Sequence, residues 1–177
     1  MRADFIQDKK LQKRVEDSLD YIFTLYETTK KQNNSDIYIQ ETYRVLILYC
    51  ASIIEALLFE LYHQGEQRIL RTEYKDPQVL SDQYRNSKLK GTVVIATRTQ
   101  RGSSEVEIGL NELITFLHPK PLKQETRDRL LTLNSLRNSF HLRKTGSTRC
   151  TRADVDEALD LLYLVFTNTA KHTEKKK

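Results

Sequence analysis

Between Ile39 and His63 the chain carries a run that is apolar on almost every side, in which Val45 to Tyr62 is broken only by Ser52, Glu55 and Glu60. A stretch this long predicts a helix rather than a strand, stopped by Gly65. Such a helix has no polar face to give to water, so it must be covered all round, by its own bundle or by a second copy of the protein. Its interruptions argue against a membrane span, and Met-Arg-Ala-Asp-Phe-Ile-Gln-Asp-Lys-Lys at the start has no apolar core of signal-peptide length. The expectation is a protein that is neither secreted nor membrane-spanning.

The rest of the chain supplies the cover. Leu11, Val15, Leu19, Ile22 and Tyr26 recur at helical spacing and predict a long amphipathic helix from near Phe5 to Lys31, ended by Gln32 to Asp36. Near the C-terminus Thr151 with Asp154 reads as a capping box, followed by the stripe Val155, Leu159, Leu162 and Phe166. Between them Pro77 is read as opening a short helix with Val79, Leu80 and Tyr84. Residues 92 to 110 change texture: Thr92 to Ile95 are rich in β-branched residues, and Val106, Ile108 and Leu110 alternate with Glu105, Glu107 and Gly109. They read as a small β-hairpin with Arg101 to Ser104 in its loop. Asn111 is placed as the cap of a short helix through Leu117, and Pro119 and Pro121 turn the chain into another helix over Leu122 to Leu142.

With 177 residues, 38% of them hydrophobic, the chain can bury one substantial core and is short for two. The reading is a mainly α helical bundle as a single domain over residues 1–170, with a basic disordered tail at 171–177. Part of the formal charge of +5 lies in Lys171, Lys175, Lys176 and Lys177, so the charge alone does not imply a polyanionic partner. Cys50 and Cys150 lie far apart, and Cys50 sits in the apolar run as a small hydrophobe; a reducing cytoplasm is the expected setting.

The chemical signal is Asn-Ser-Leu-Arg-Asn-Ser-Phe-His at 134–141. At about 100° per residue, Asn134, Arg137, Asn138 and His141 fall on one stripe, while Leu133, Leu136 and Phe140 take the neighbouring face. A forked permanent cation next to the side chain that titrates nearest neutrality suits phosphate chemistry. An Arg and a His one turn apart are also what an ordinary solvated helix face contains.

A Leu-Arg-Asn-x-x-His-Leu tract ending a helix, a short basic loop, a new amphipathic helix at Thr151, and an earlier apolar helix bearing Glu55 together resemble a HEPN domain. That helical family carries an Arg, a polar residue and then a His on its penultimate core helix. The resemblance covers roughly residues 10 to 170 and rests on a short motif. It implies a HEPN-like bundle, metal-independent RNA cleavage, and a homodimer in which two motifs face each other, because one His per chain is too few for two proton transfers. It also implies a possible toxin or defence role with an antitoxin or partner protein. Fewer residues separate Arg137 from His141 than in most ribonuclease members, so the two side chains are vertical neighbours and the charged form of His141 is disfavoured. The Tyr that follows the His in family toxins silenced by nucleotide transfer is replaced by Leu142, Arg143 and Lys144. Short-spaced members include proteins for which binding is the more natural role, and a non-catalytic helical module binding nucleic acid, nucleotide or a partner protein is the alternative.

In the catalytic reading His141 transfers a proton, Arg137 holds two non-bridging phosphate oxygens, and Asn138 and Asn134 orient the imidazole or touch the sugar. Glu55, an acid in an apolar helix, needs a cationic partner, for which Arg137 is the candidate; anchoring of the packing or an outlet to solvent beside Ser52 is the structural alternative. Arg143, Lys144, Arg149 and Arg152, with Arg98 and Arg101, form a candidate RNA-binding rim, or else scattered solvated cations. No metal site or cofactor is expected: His63, His118 and His172 lack partners at ligand spacing, and there is no Gly-rich phosphate loop, dinucleotide fingerprint or nucleophile elbow.

Overall fold

The structure, a computed structural model, describes residues 2–31, 35–79, 94–140 and 149–174. Within these residues it is mainly helical, with one small two-stranded antiparallel sheet. The elements are α1 (Lys9–Lys31), α2 (Asp36–Gln64), β1 (Leu70–Val79), β2 (Val94–Gly102), α3 (Leu110–Phe116), α4 (Gln124–Ser139) and α5 (Arg152–Glu174). They fall into two compact units, Met1–Glu66 with Gly109–Lys177, and Gln67–Ile108.

In the first unit the apolar run becomes α2, packed against α1, α3, α4 and α5. Leu46, Ile47, Cys50, Ala51, Ile54, Leu57 and Leu58 are fully buried. By length and composition α2 is apolar enough to cross a membrane, and here most of its apolar window is buried inside the bundle. Val15, Leu19 and Ile22 of α1 and Val155, Leu161, Leu162 and Val165 of α5 close over it. Each fully buried aliphatic side chain contributes about 1.5–3 kcal/mol by leaving water, so this layer dominates the stability of the bundle.

Helix ends follow local chemistry. The Asp8 carboxylate accepts from the N–H of Lys10 at 2.8 Å and of Leu11 at 3.3 Å, starting α1 later than the apolar pattern suggests. Phe5 instead packs edge-on against Phe166 of α5, 5.0 Å between centroids. The expected capping box of α5 is present: Thr151 N–H donates to Asp154 at 2.7 Å, and Asp154 N–H to the Thr151 hydroxyl at 3.2 Å. At α3 the cap is Gly109 rather than Asn111, with the Glu112 carboxylate accepting the Gly109 N–H at 3.1 Å.

The second unit corrects the expected hairpin. Among the described residues only one strand comes from the 92–110 region, β2, and its antiparallel partner is β1, paired from Leu70 opposite Gly102 to Val79 opposite Val94 with a register shift between Lys75 and Gln78. Pro77 lies inside β1, not at a helix start. The strand tolerates it because the ladder breaks between Lys75 and Gln78, where Asp76 adopts φ 52°, a left-handed conformation open to Asp. Leu80, Tyr84, Thr92 and Val93 lie outside the described residues. The alternation over 105–110 arises from a single turn of 3-10 helix at Glu105–Glu107, where Glu107 accepts from the Ser104 N–H at 2.9 Å and hydroxyl at 2.8 Å. Val106, which a half-buried strand would cover, is 98% exposed.

Candidate functional site

The polar row lies at the C-terminal end of α4. Thr126, Leu130 and Leu133 are buried along this helix, and the same stripe continues one turn further to Arg137. The helix closes at Phe140, whose N–H donates to the Arg137 carbonyl at 3.3 Å. His141, expected on this helix, lies outside the described residues, as do Arg143 and Lys144.

Arg137 meets Glu55 across the bundle, Nη1 donating to Oε2 at 3.3 Å, with the two side chains 30% and 27% exposed. A half-buried carboxylate so placed serves two ends. It satisfies the acid on the apolar helix, and it fixes the guanidinium at the mouth of a cleft rather than leaving it to sweep through solvent. Only Nη1 is engaged among the described residues, and a guanidinium has five N–H donors.

That cleft, of about 540 Å³, is bounded by Leu48 and Glu55 of α2, by Gly109, Leu110 and Asn111 at the start of α3, and by Asn134, Arg137, Asn138 and Phe140 of α4. Among the described residues the side-chain amides of Asn111, Asn134 and Asn138 make no hydrogen bond, so three neutral donor-acceptor groups and the remaining guanidinium donors face the same space. Asn111 and Leu48 went unnoticed in the sequence: Asn111 is read there as a cap, and Leu48 is one of many apolar residues in its helix. Chemically the site is a cradle for an anion with hydrogen-bonding substituents, its cation braced from behind by a carboxylate.

The remaining basic residues have separate fates. Arg149 is exposed ahead of α5. Arg152 is tied into a cluster with Tyr26, whose hydroxyl donates to the Asp156 carboxylate, and with Asp156 itself, 3.7 Å away; these contacts hold its guanidinium above the usual range. In the second unit Arg101 is not a free rim cation. It bridges Glu73 and Glu107, donating to Glu107 at 2.6 and 2.8 Å. The Arg101 guanidinium beside it and the Ser104 donors hold the Glu107 carboxyl well below the ordinary carboxylate range. Arg98 stands opposite Tyr74 in the ladder.

The two cysteines are structural. Burial pushes the Cys50 thiol up to about 12, and burial raises that of Cys150 as well. Gln40 of α2 clamps the Cys150 backbone, donating to its carbonyl at 2.8 Å and accepting its N–H at 2.9 Å, which pins the approach to α5. Among the described residues no group of three or more His, Cys, Asp or Glu side chains is placed to hold a metal ion. No protein-family model, curated protein sequence or solved structure matches the chain.

Proposed function

We propose that this chain is a metal-independent endoribonuclease of the HEPN type, working in the cytoplasm as a homodimer, in the manner of a toxin or defence effector held in check by a partner protein. The observation that carries the reading is Arg137 braced by Glu55 at 3.3 Å in a cleft whose other polar groups are uncommitted amides. In the proposed reaction the ribose 2′-oxygen attacks the adjacent phosphorus as His141 takes its proton, and the bond from phosphorus to the 5′-oxygen breaks as the partner's His141 protonates the leaving oxygen. The products are a cyclic phosphate and a free 5′-hydroxyl. Arg137 neutralises the non-bridging oxygens in the transition state, and Asn134, Asn138 and Asn111 take the sugar edges.

Incubation of the full chain with end-labelled single-stranded RNA in chelator tests it. Cleavage is expected, with a loss of about a hundredfold or more in His141→Ala. Cleavage unchanged by that substitution, or none on any RNA, rules the reading out.

One observation favours a second account. The charge of Arg137 is already answered by Glu55, which suits a module that holds RNA, a nucleotide or an acidic partner without chemistry. RNA cleavage that is lost in Arg137→Ala would exclude it.

A further inference from the structure

The bundle leaves one stretch of α2 open. Leu48 and Tyr49 are 38% and 39% exposed, and they border a groove of about 340 Å³ between α1 and α2 whose other apolar walls are Leu11, Val15, Ile53 and Ala56. Tyr21 of α1, 45% exposed, extends the patch, its ring 5.0 Å from that of Tyr49 between centroids. Contiguous large apolar groups left at a surface mark an interaction site. Leu48 also lines the Arg137 cleft, so whatever covers the groove abuts that cleft.

The charges along α1 name the occupant. Beyond the Asp8 cap the helix carries Lys9, Lys10, Lys13 and Arg14 and no acid before Glu16, cations at the positive end of its own dipole; Asp17 and Asp20 follow. At about 100° per residue, Lys10, Arg14, Asp17, Ser18 and Tyr21 share one side of the helix, with Arg14 and Ser18 at the rim of the groove. Among the described residues none of Lys10, Arg14 and Asp17 is in an ion pair. A face that runs from basic to acidic is complementary to the same face reversed. About a two-fold axis passing between Val15 and Glu16, Arg14 stands opposite the partner's Asp17 and Lys10 opposite the partner's Tyr21, and symmetry makes each pair twice.

We propose that this face is the interface with a second copy of the chain, the two α1 helices packed antiparallel about that axis. The Arg14–Asp17 pairs flank the axis, and the partner's α1 lies along the rim of the groove, covering Tyr21, Tyr49 and Leu48. The interface gives the homodimer of the proposed function its surface, and it rests on that reading only in its consequence, the contact of the second copy beside the Arg137 cleft.

Sedimentation velocity of the full chain over a range of protein concentration tests it, with Arg14→Glu, with Asp17→Lys, and with an equimolar mixture of the two. The native chain is expected to dimerise. Each variant alone sets like charges opposite one another twice and should self-associate about tenfold more weakly. In the mixture every pair is again of opposite sign, so the mixed dimer should recover the native midpoint. Tyr49→Ala should weaken association by about tenfold as well, through lost aromatic contact. A native chain that stays monomeric overturns the proposal, as does a dimer whose midpoint neither charge reversal moves, or a mixture that associates no better than its components. Arg14 and Asp17 are both exposed, so neither charge reversal threatens the fold. RNA cleavage measured on the same samples separates this proposal from the nuclease reading. Cleavage by a monomer overturns the interface and leaves the chemistry at Arg137 standing, whereas a dimer that obeys the charge exchange and cuts no RNA upholds the interface and removes the nuclease.

Discussion

Breaking the Glu55–Arg137 pair has a calculable consequence. At 3.3 Å with an effective dielectric near 20, the Coulomb attraction is about 5 kcal/mol before costs. Desolvation of both groups and loss of side-chain freedom remove most of that. The side chains are 27% and 30% exposed, so what is left is screened toward the values of surface pairs. A coupling of about 1 kcal/mol is expected to survive. Each single substitution, Glu55→Ala or Arg137→Ala, leaves a half-buried charge without its partner and costs more than its own lost contact. The double substitution removes both charges, so it should cost less than the sum of the singles by about that coupling. Urea unfolding of the four proteins measures it directly; in a thermal scan about 1 kcal/mol corresponds to about 2–4 °C for a chain of this size. A coupling within about 0.3 kcal/mol of zero would refute the reasoning, because the guanidinium would then not be held at the cleft by the acid.

Three further outcomes follow from the same geometry. Leu57→Ala, at a fully buried position of α2, should lower unfolding free energy by about 2–5 kcal/mol, read as a shift in urea midpoint with unchanged slope. Cys50, with its thiol raised to about 12, and buried Cys150 should resist a thiol reagent in the native protein and react once urea unfolds it; rapid native labelling of either would contradict their burial. Glu107 has its pKa depressed in the folded state, so its bond network in the second unit should be intact above the ordinary carboxylate value and be lost as pH falls through the depressed one. Protection of the Ser104 amide, its exchange relative to that of an unstructured peptide at the same pH, should fall with acid over that window in the native protein and show no such acid-dependent loss in Glu107→Gln.

What the sequence disclosed follows the strength of each physical signal. The long helices are legible because their burial repeats at helical spacing over many turns, as in Val15, Leu19 and Ile22 or Val155, Leu162 and Phe166. The pairing of Glu55 with Arg137 is readable because a carboxylate on an apolar helix needs a cation near it. The ribbon is harder. The mixed charge and Pro77 of β1 carry no period-two pattern, since most of the strand is exposed, and the break at Asp76 that admits the proline depends on backbone geometry, not composition. The cap alternation of Ser104 and Glu107 imitates a strand for the same reason, as both patterns alternate polar and apolar residues. Half of the Arg137 cleft is invisible from the motif because Leu48 and Asn111 arrive from elements remote in sequence.

The central claim is that the Arg137 cleft receives the phosphate backbone of RNA. Binding of labelled single-stranded RNA by fluorescence anisotropy, in chelator and over a range of salt, reads this most directly. Arg137→Ala should weaken affinity by about tenfold and reduce the salt slope by about one contact, with Arg137→Lys recovering the slope but not the full affinity. Affinity and slope that stay unchanged in Arg137→Ala would contradict it.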